Sequence, residues 1–116
     1  MHRAAATEET SIVIVEGFFD CMKVHQAGIR SVIALMGAIL YEPQRCALLG
    51  RFRQMILMLD GDIAGRKANK VIVEKLRPHC PAHVVELPSG TQPDQLSTEE
   101  IRELLQPALQ RRLAVR

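Results

Sequence analysis

Gln54-Met-Ile-Leu-Met-Leu59-Asp60-Gly61-Asp62-Ile63-Ala64-Gly65-Arg66-Lys67-Ala68 decides the fold. An almost wholly apolar run ends in an Asp-Gly-Asp turn, and a helical pattern follows directly. The run does not alternate, so both of its faces should be buried, as in a parallel sheet covered by helices. The helix should run from Ala64 to about Leu76 and end at Pro78.

The same grammar repeats on either side. Ser11-Ile-Val-Ile-Val15 is a β-branched strand followed by Glu16-Gly17, and Asp20 to Ala27 has helical spacing with Gly28 as its stop. Ser31-Val-Ile-Ala-Leu35 is a second strand, and Glu42-Pro43 opens a helix that should stop at Gly50. His83-Val-Val-Glu86 is a shorter fourth strand, followed by a Pro/Gly/Ser/Thr loop over 88–95. Ser97-Thr-Glu-Glu100 is a capping box for a last helix, which Pro107 should break or kink. Strands alternating with helices predict an α/β fold, an about four-stranded parallel sheet with helices on both faces. The chain divides into a lead-in over 1–10, one domain over 11–106 and a basic tail over 107–116 carrying Arg111, Arg112 and Arg116.

The totals agree with one small domain. The chain has 116 residues, enough for a single core. Aromatics are only 3%, so the core must come from aliphatic side chains and Met, with Met55 and Met58 inside a strand. Three cysteines without C-x-x-C spacing argue against a disulfide framework and fit a reducing cytoplasm; Cys21 and Cys46 fall on apolar helix positions and should be core. No stretch reads as a signal peptide or membrane span. A net charge of +2 does not by itself indicate nucleic acid.

In an open parallel sheet, ligands bind beyond the carboxyl ends of the strands. Glu16, Asp60, Asp62 and Asp94 all fall there. Like charges about 4 Å apart repel by ~1 kcal/mol in water and ~4 kcal/mol at an effective dielectric of about 20. Acids gathered on one rim therefore call for a cation, and oxygen-only ligands favour Mg²⁺ or Mn²⁺. Gly17 and Gly61 should permit sharp turns with positive φ and leave space beside the acids. Singly, each acid could equally be a helix cap, and for Asp20 capping is the first reading.

These residues resemble the Toprim family, and within it the DnaG-type bacterial primases. Val15-Glu16-Gly17-Phe18-Phe19-Asp20 is similar to the family's hydrophobic-Glu-Gly-aromatic-x-Asp motif, and Val24 to Ile29 continues the likeness. Leu35-Met-Gly37-Ala38 resembles the family's glycine turn after the second strand. Leu59 to Ala68 resembles Asp-Gly-Asp-x-Ala-Gly-x-x-Ala, with Gly65 a further turn position, and Gly90-Thr-Gln-Pro93-Asp94 is similar to the primase Gly-Lys-Asp-Pro-Asp. The resemblance implies a Toprim (Rossmann-like) fold and Mg²⁺- or Mn²⁺-dependent phosphodiester chemistry. It makes Glu16 the general acid/base and a metal-site member, with Asp60, Asp62, Asp94 and Asp20 as metal residues.

The resemblance also implies nucleic acid, nucleotides and other primase subunits as partners, and no membrane. Primases of this type carry a zinc module, a basic subdomain and a helicase-binding region besides this domain. None is legible in these residues, so the domain reads as a fragment or partner of a larger system. Departures are Gln92 for an acid, Thr91 for Lys, and Ile63 where Arg is common; Gln92 removes one charge from the rim. A nuclease-type phosphodiesterase and a non-catalytic assembly module are the alternatives.

Arg66, Lys67 and Lys70 lie near the start of the third helix, where cations oppose the helix dipole. They suit either the neighbouring acids or a bound phosphate. No aromatic interleaves with these charges, which argues against a stacking platform for single strands. His79, Cys80 and His83 cluster at the start of the fourth strand, with His79 and Cys80 in the loop before it, and His25 reads as a helix-surface residue.

Overall fold

The computed structural model describes residues 10–35 and 39–110. The lead-in up to residue 9, the Gly37-Ala38 turn and the arginines of the tail lie outside the described residues. The elements are β1 (Ser11–Val15), α1 (Phe18–Gln26), β2 (Val32–Ala34), α2 (Glu42–Arg51), β3 (Gln54–Leu57), α3 (Ile63–Leu76), β4 (Ala82–Val84) and α4 (Thr98–Leu109). A short 3-10 turn, Pro93–Gln95, precedes α4. The strands form one parallel sheet in the order β2-β1-β3-β4.

The apolar runs explain the layers. Successive side chains of a strand point to opposite faces. Ile12 and Ile14 of β1, with Met55 and Leu57 of β3, pack against Leu48 of α2 and Ala68, Ile72 and Leu76 of α3. Val13, Val15 and Ile56 face the other way, onto Val24 of α1 and Ile101, Leu105 and Ala108 of α4. Both faces are thus buried, as the non-alternating strands require. The expected α/β architecture, a four-stranded parallel sheet with helices on both faces, is present.

The sheet order places the site. The chain leaves β1 toward β2 on one side, then returns to pair β3 on the other. The β1/β3 seam is therefore the point where the winding reverses and a crevice opens at the strand ends.

Three expectations need correction. Pro107 does not break α4, which continues to Leu109. Pro107 faces solvent, so its missing N–H costs no buried hydrogen bond. The last turn is held from the inside, where Ala108 is buried and its carbonyl accepts from Gln54 Nε2 at 2.8 Å. Cys46 is exposed; Leu48 is the buried residue of α2, and two residues of helix rotate Cys46 away from it. Gly17 has φ −118°, and the positive-φ glycines among the described residues are Gly28 and Gly90. Gly28 ends α1 as expected; Gly61 and Gly65 are required for closeness instead.

Candidate metal and nucleotide site

Glu16 follows β1 and Asp60 follows β3, so the sheet alone brings them together across the central seam. Glu16 Oε2 accepts a hydrogen bond from the backbone N–H of Asp60 at 3.2 Å. That bond fixes one end of the Glu16 carboxylate against the neighbouring strand.

Asp20 brings the third element. It lies in the first turn of α1 and is only 6% exposed. Its Oδ2 accepts from the N–H of Gly17 at 3.2 Å, and its Oδ1 accepts from the N–H of Asp94 at 3.0 Å. Asp20 caps its own helix and ties the 3-10 turn that carries Asp94 to the rim. A carboxylate with both oxygens on backbone donors is a tether first.

The Asp-Gly-Asp turn is built by close approach. Asp62 is the N-cap of α3, its Oδ1 accepting from Gly65 N–H at 2.7 Å. A Cβ on Gly65 would stand 2.0 Å from the Asp60 carbonyl oxygen. A Cβ on Gly61 would stand 2.3 Å from the Pro88 carbonyl oxygen. Gly61 also donates to the Thr91 carbonyl and accepts from Gly90 N–H, each at 2.7 Å. The loop after β4 is thereby clamped onto the turn after β3.

The result is a cleft of about 390 Å³ lined by Glu16, Asp20, Asp60 and Asp94. Phe18, Phe19 and Gln92 complete its walls. Asp62 instead lines a neighbouring groove of about 460 Å³, with Arg66, Ser89 and Gly90. Arg66 Nη2 donates to Ser89 Oγ at 3.2 Å, and Lys67 and Lys70 are exposed on α3. The sequence-predicted acids thus divide into four in the cleft and one at its shoulder. Of the three cations, Arg66 lines that shoulder groove.

The electrostatics centre on Asp60. Burial, then the charges of Glu16, Asp20, Asp62 and Asp94, push its carboxyl up to about 6. Its Oδ1 is buried without a hydrogen-bond partner. Glu16 is also raised, by burial first and by Asp62 and Asp20, against the lowering effect of the Asp60 N–H. Asp20 is raised by burial, offset by the N–H groups of Asp94 and Gly17. Among the described residues, no three His, Cys, Asp or Glu side chains already stand close enough to hold a metal ion between them.

Phe18 and Phe19 are the cleft residues that sequence reasoning passed over. They sit at successive helix positions beside an acid, and such a pair ordinarily divides between core and surface. The signal available was their place inside the Glu-Gly motif itself.

The chain matches the family described as Toprim-like over residues 13–97. It is 38% identical over 104 residues to the DNA primase of Aquifex aeolicus, covering 84% of this chain and 21% of that protein. It is 36% identical over 88 residues to the DNA primase of Staphylococcus epidermidis, covering 75% of this chain and 15% of that one. The chain therefore spans about a fifth of the length, or less, of these curated relatives.

Solved structures agree. The Aquifex aeolicus primase structure of zinc-binding and RNA polymerase domains superposes with a TM-score of 0.75 at 33% identity, over 89% of this chain and 27% of that chain. The structure of the DnaG primase catalytic domain bound to ssDNA superposes with a TM-score of 0.71 at 25% identity, over 84% of this chain and 33% of that chain. Family model, relatives and sheet topology converge: the chain belongs to the Toprim-like family and is a Toprim domain homologous to DnaG-type DNA primases.

Proposed function

We propose that this domain is the carboxylate centre of a Mg²⁺-dependent, primase-like nucleotidyl-transfer system, with Mn²⁺ able to replace Mg²⁺. The observation that carries the reading is the state of Asp60. A buried carboxylate oxygen lacks a donor, and burial, reinforced by the neighbouring acids, pushes the Asp60 carboxyl up to about 6. A divalent cation supplies what that oxygen lacks and offsets the repulsion.

The residues fit a hard ion, because every donor in the cleft is an oxygen. Asp60, Glu16 and Asp94 would hold it, with the remaining positions left to water and substrate oxygens. Asp62 would contribute from the shoulder, through a carboxylate already engaged with Gly65. Asp20, a helix cap by position and a further metal residue by resemblance, would serve here as the tether of Asp94. When bound, the ion would orient phosphate and stabilise charge on oxygen during transfer.

Glu16 would act as general base, taking the proton of a 3′-hydroxyl as that oxygen attacks phosphorus and pyrophosphate leaves. Its raised proton affinity suits the task, since a base works best near the operating pH. Arg66, Lys67 and Lys70 would take the phosphates of a DNA template or nucleotide approaching across the shoulder, a salt-sensitive contact. The setting would be the cytoplasm, alongside other primase subunits. Among the described residues, no helix is long and apolar enough to cross a membrane.

A second reading has one residue in its favour. Gln92 lines the cleft where the primase-like motif has an acid, which suits a non-catalytic module. Incubation with single-stranded template, ribonucleotides and Mg²⁺, beside a nicking assay on duplex DNA, separates the readings. Primer synthesis lost in Glu16→Gln supports the proposal. Nicking alone would assign a nuclease, and inactivity in both, under conditions where the ion binds, would assign the non-catalytic module.

A further inference from the structure

We propose that Phe18 and Phe19 form a nucleobase-stacking wall of the carboxylate cleft, an inference that rests on reading the cleft as a nucleotide site. The chain has three Phe, one Tyr and no Trp. Phe52 behaves as an ordinary aromatic, packed against the core with Arg51 over its ring at 5.4 Å. Phe18 and Phe19 do the opposite: they are 57% and 69% exposed. An exposed large apolar pair at a cleft calls for a ligand more than scattered surface residues do.

Their placement supplies the ligand's chemistry. Both rings line the cleft that holds Glu16, Asp60 and Asp94. They meet edge to face, with centroids 5.8 Å apart and planes at 68°. That arrangement engages an edge of one ring and leaves flat faces open. No Lys, Arg or His is among the described residues lining the cleft. This chain's cleft therefore offers a ligand oxygen donors, one amide at Gln92, and aromatic faces. A nucleotide matches that set: an ion-bound phosphate by the acids, a base on the rings, and a base edge within the reach of an amide. Stacking on aromatics is indifferent to base identity, as template copying requires.

The test is binding of a labelled oligodeoxythymidylate and of the same backbone with abasic residues, read by fluorescence anisotropy in Mg²⁺. The chain should prefer the base-bearing strand by about tenfold, within the range of about 5- to 150-fold that one stacked base supplies. The double variant Phe18→Leu, Phe19→Leu keeps the apolar bulk and should lose the preference while its salt dependence persists. The double variant Phe18→Trp, Phe19→Trp should retain it. If the double variant does not fold, judged by circular dichroism, Phe19→Leu alone provides the comparison.

An unchanged preference in the leucine variant would overturn the proposal, as would equal binding of the two strands by the unaltered chain. Altered sedimentation of the leucine variant with the base preference intact would assign the rings to a protein interface. Mn²⁺ binding, measured on the same samples, separates two failures. Ion binding without base preference removes only the stacking wall, whereas loss of both removes the cleft's reading as a nucleotide site.

Discussion

Two strand ends in this molecule carry the same short vocabulary, an acid, a glycine, a second acid and a helix, and use it in different ways. At the end of β1, Gly17 is crowded only by a side chain: a Cβ there would lie 3.3 Å from Asp20 Oδ2, which would have to give by a few tenths of an ångström. At the end of β3, Gly61 and Gly65 have no room, with backbone oxygens 2.3 and 2.0 Å from the Cβ positions. The second acids differ as well. Asp20 is buried and reaches across to Asp94, whereas Asp62 is exposed and caps its own helix. The β3 turn is a rigid block and the β1 turn is a tether. The site needs both, because one sets Asp60 and the other delivers Asp94.

The contrast breaks first at the glycines. Gly65→Ala should destabilise the fold by about 3 kcal/mol or more, since the obstacle is backbone and cannot swing away. Gly61→Ala should cost a similar amount by lifting the 88–91 loop. Gly17→Ala should cost under about 1 kcal/mol. Urea denaturation of the three variants gives the order, and equal losses would erase the distinction between the turns.

The acids come next. Asp20→Ala strands two part-buried backbone N–H groups, a loss of about 1–3 kcal/mol. Asp62→Ala removes an exposed cap, at about 1 kcal/mol, and Asp62→Ser should recover most of that because serine also caps. Hydrogen exchange sharpens the point: Asp20→Ala should speed exchange at the Asp94 amide, and Asp62→Ala should leave it unchanged.

The third lever is pH. Burial and the neighbouring charges raise the Asp60 carboxyl from 3.8 in the unfolded chain to about 6 in the folded one. Between those values the folded state holds a proton that the unfolded state has released, so stability falls as pH rises through the window. The raised Glu16 and Asp20 act in the same sense. Asp60→Asn should flatten part of this slope in urea melts taken from pH 3.8 to about 6. An unchanged slope would mean that Asp60 does not feel its neighbours.

Much of this was legible in the sequence, for physical reasons. Non-alternating runs such as Ile12 to Val15 and Met55 to Leu59 announce strands covered on both sides. Acids placed directly after them must fall on one rim. What the sequence could not show was tertiary closeness. The pressure on Gly61 comes from the Pro88 carbonyl, far along the chain, so it reads locally as a demand for positive φ. Asp20 reads locally as a helix cap, and its second bond, from the Asp94 N–H far along the chain, has no local signal. Pro107 looks like a stop until Gln54 is seen holding the turn beyond it. Cys46 looks apolar enough for the core until the single buried anchor of α2 proves to be Leu48.

The central claim is that the Asp60 cleft takes a divalent cation, and Mn²⁺ titration by calorimetry at pH 7 tests it most directly. The account predicts saturable binding by the unaltered chain, at least tenfold weaker in Asp60→Asn, with proton release growing as the pH is lowered toward about 6. Equal Mn²⁺ affinity in the two proteins, or no binding by either, would contradict it.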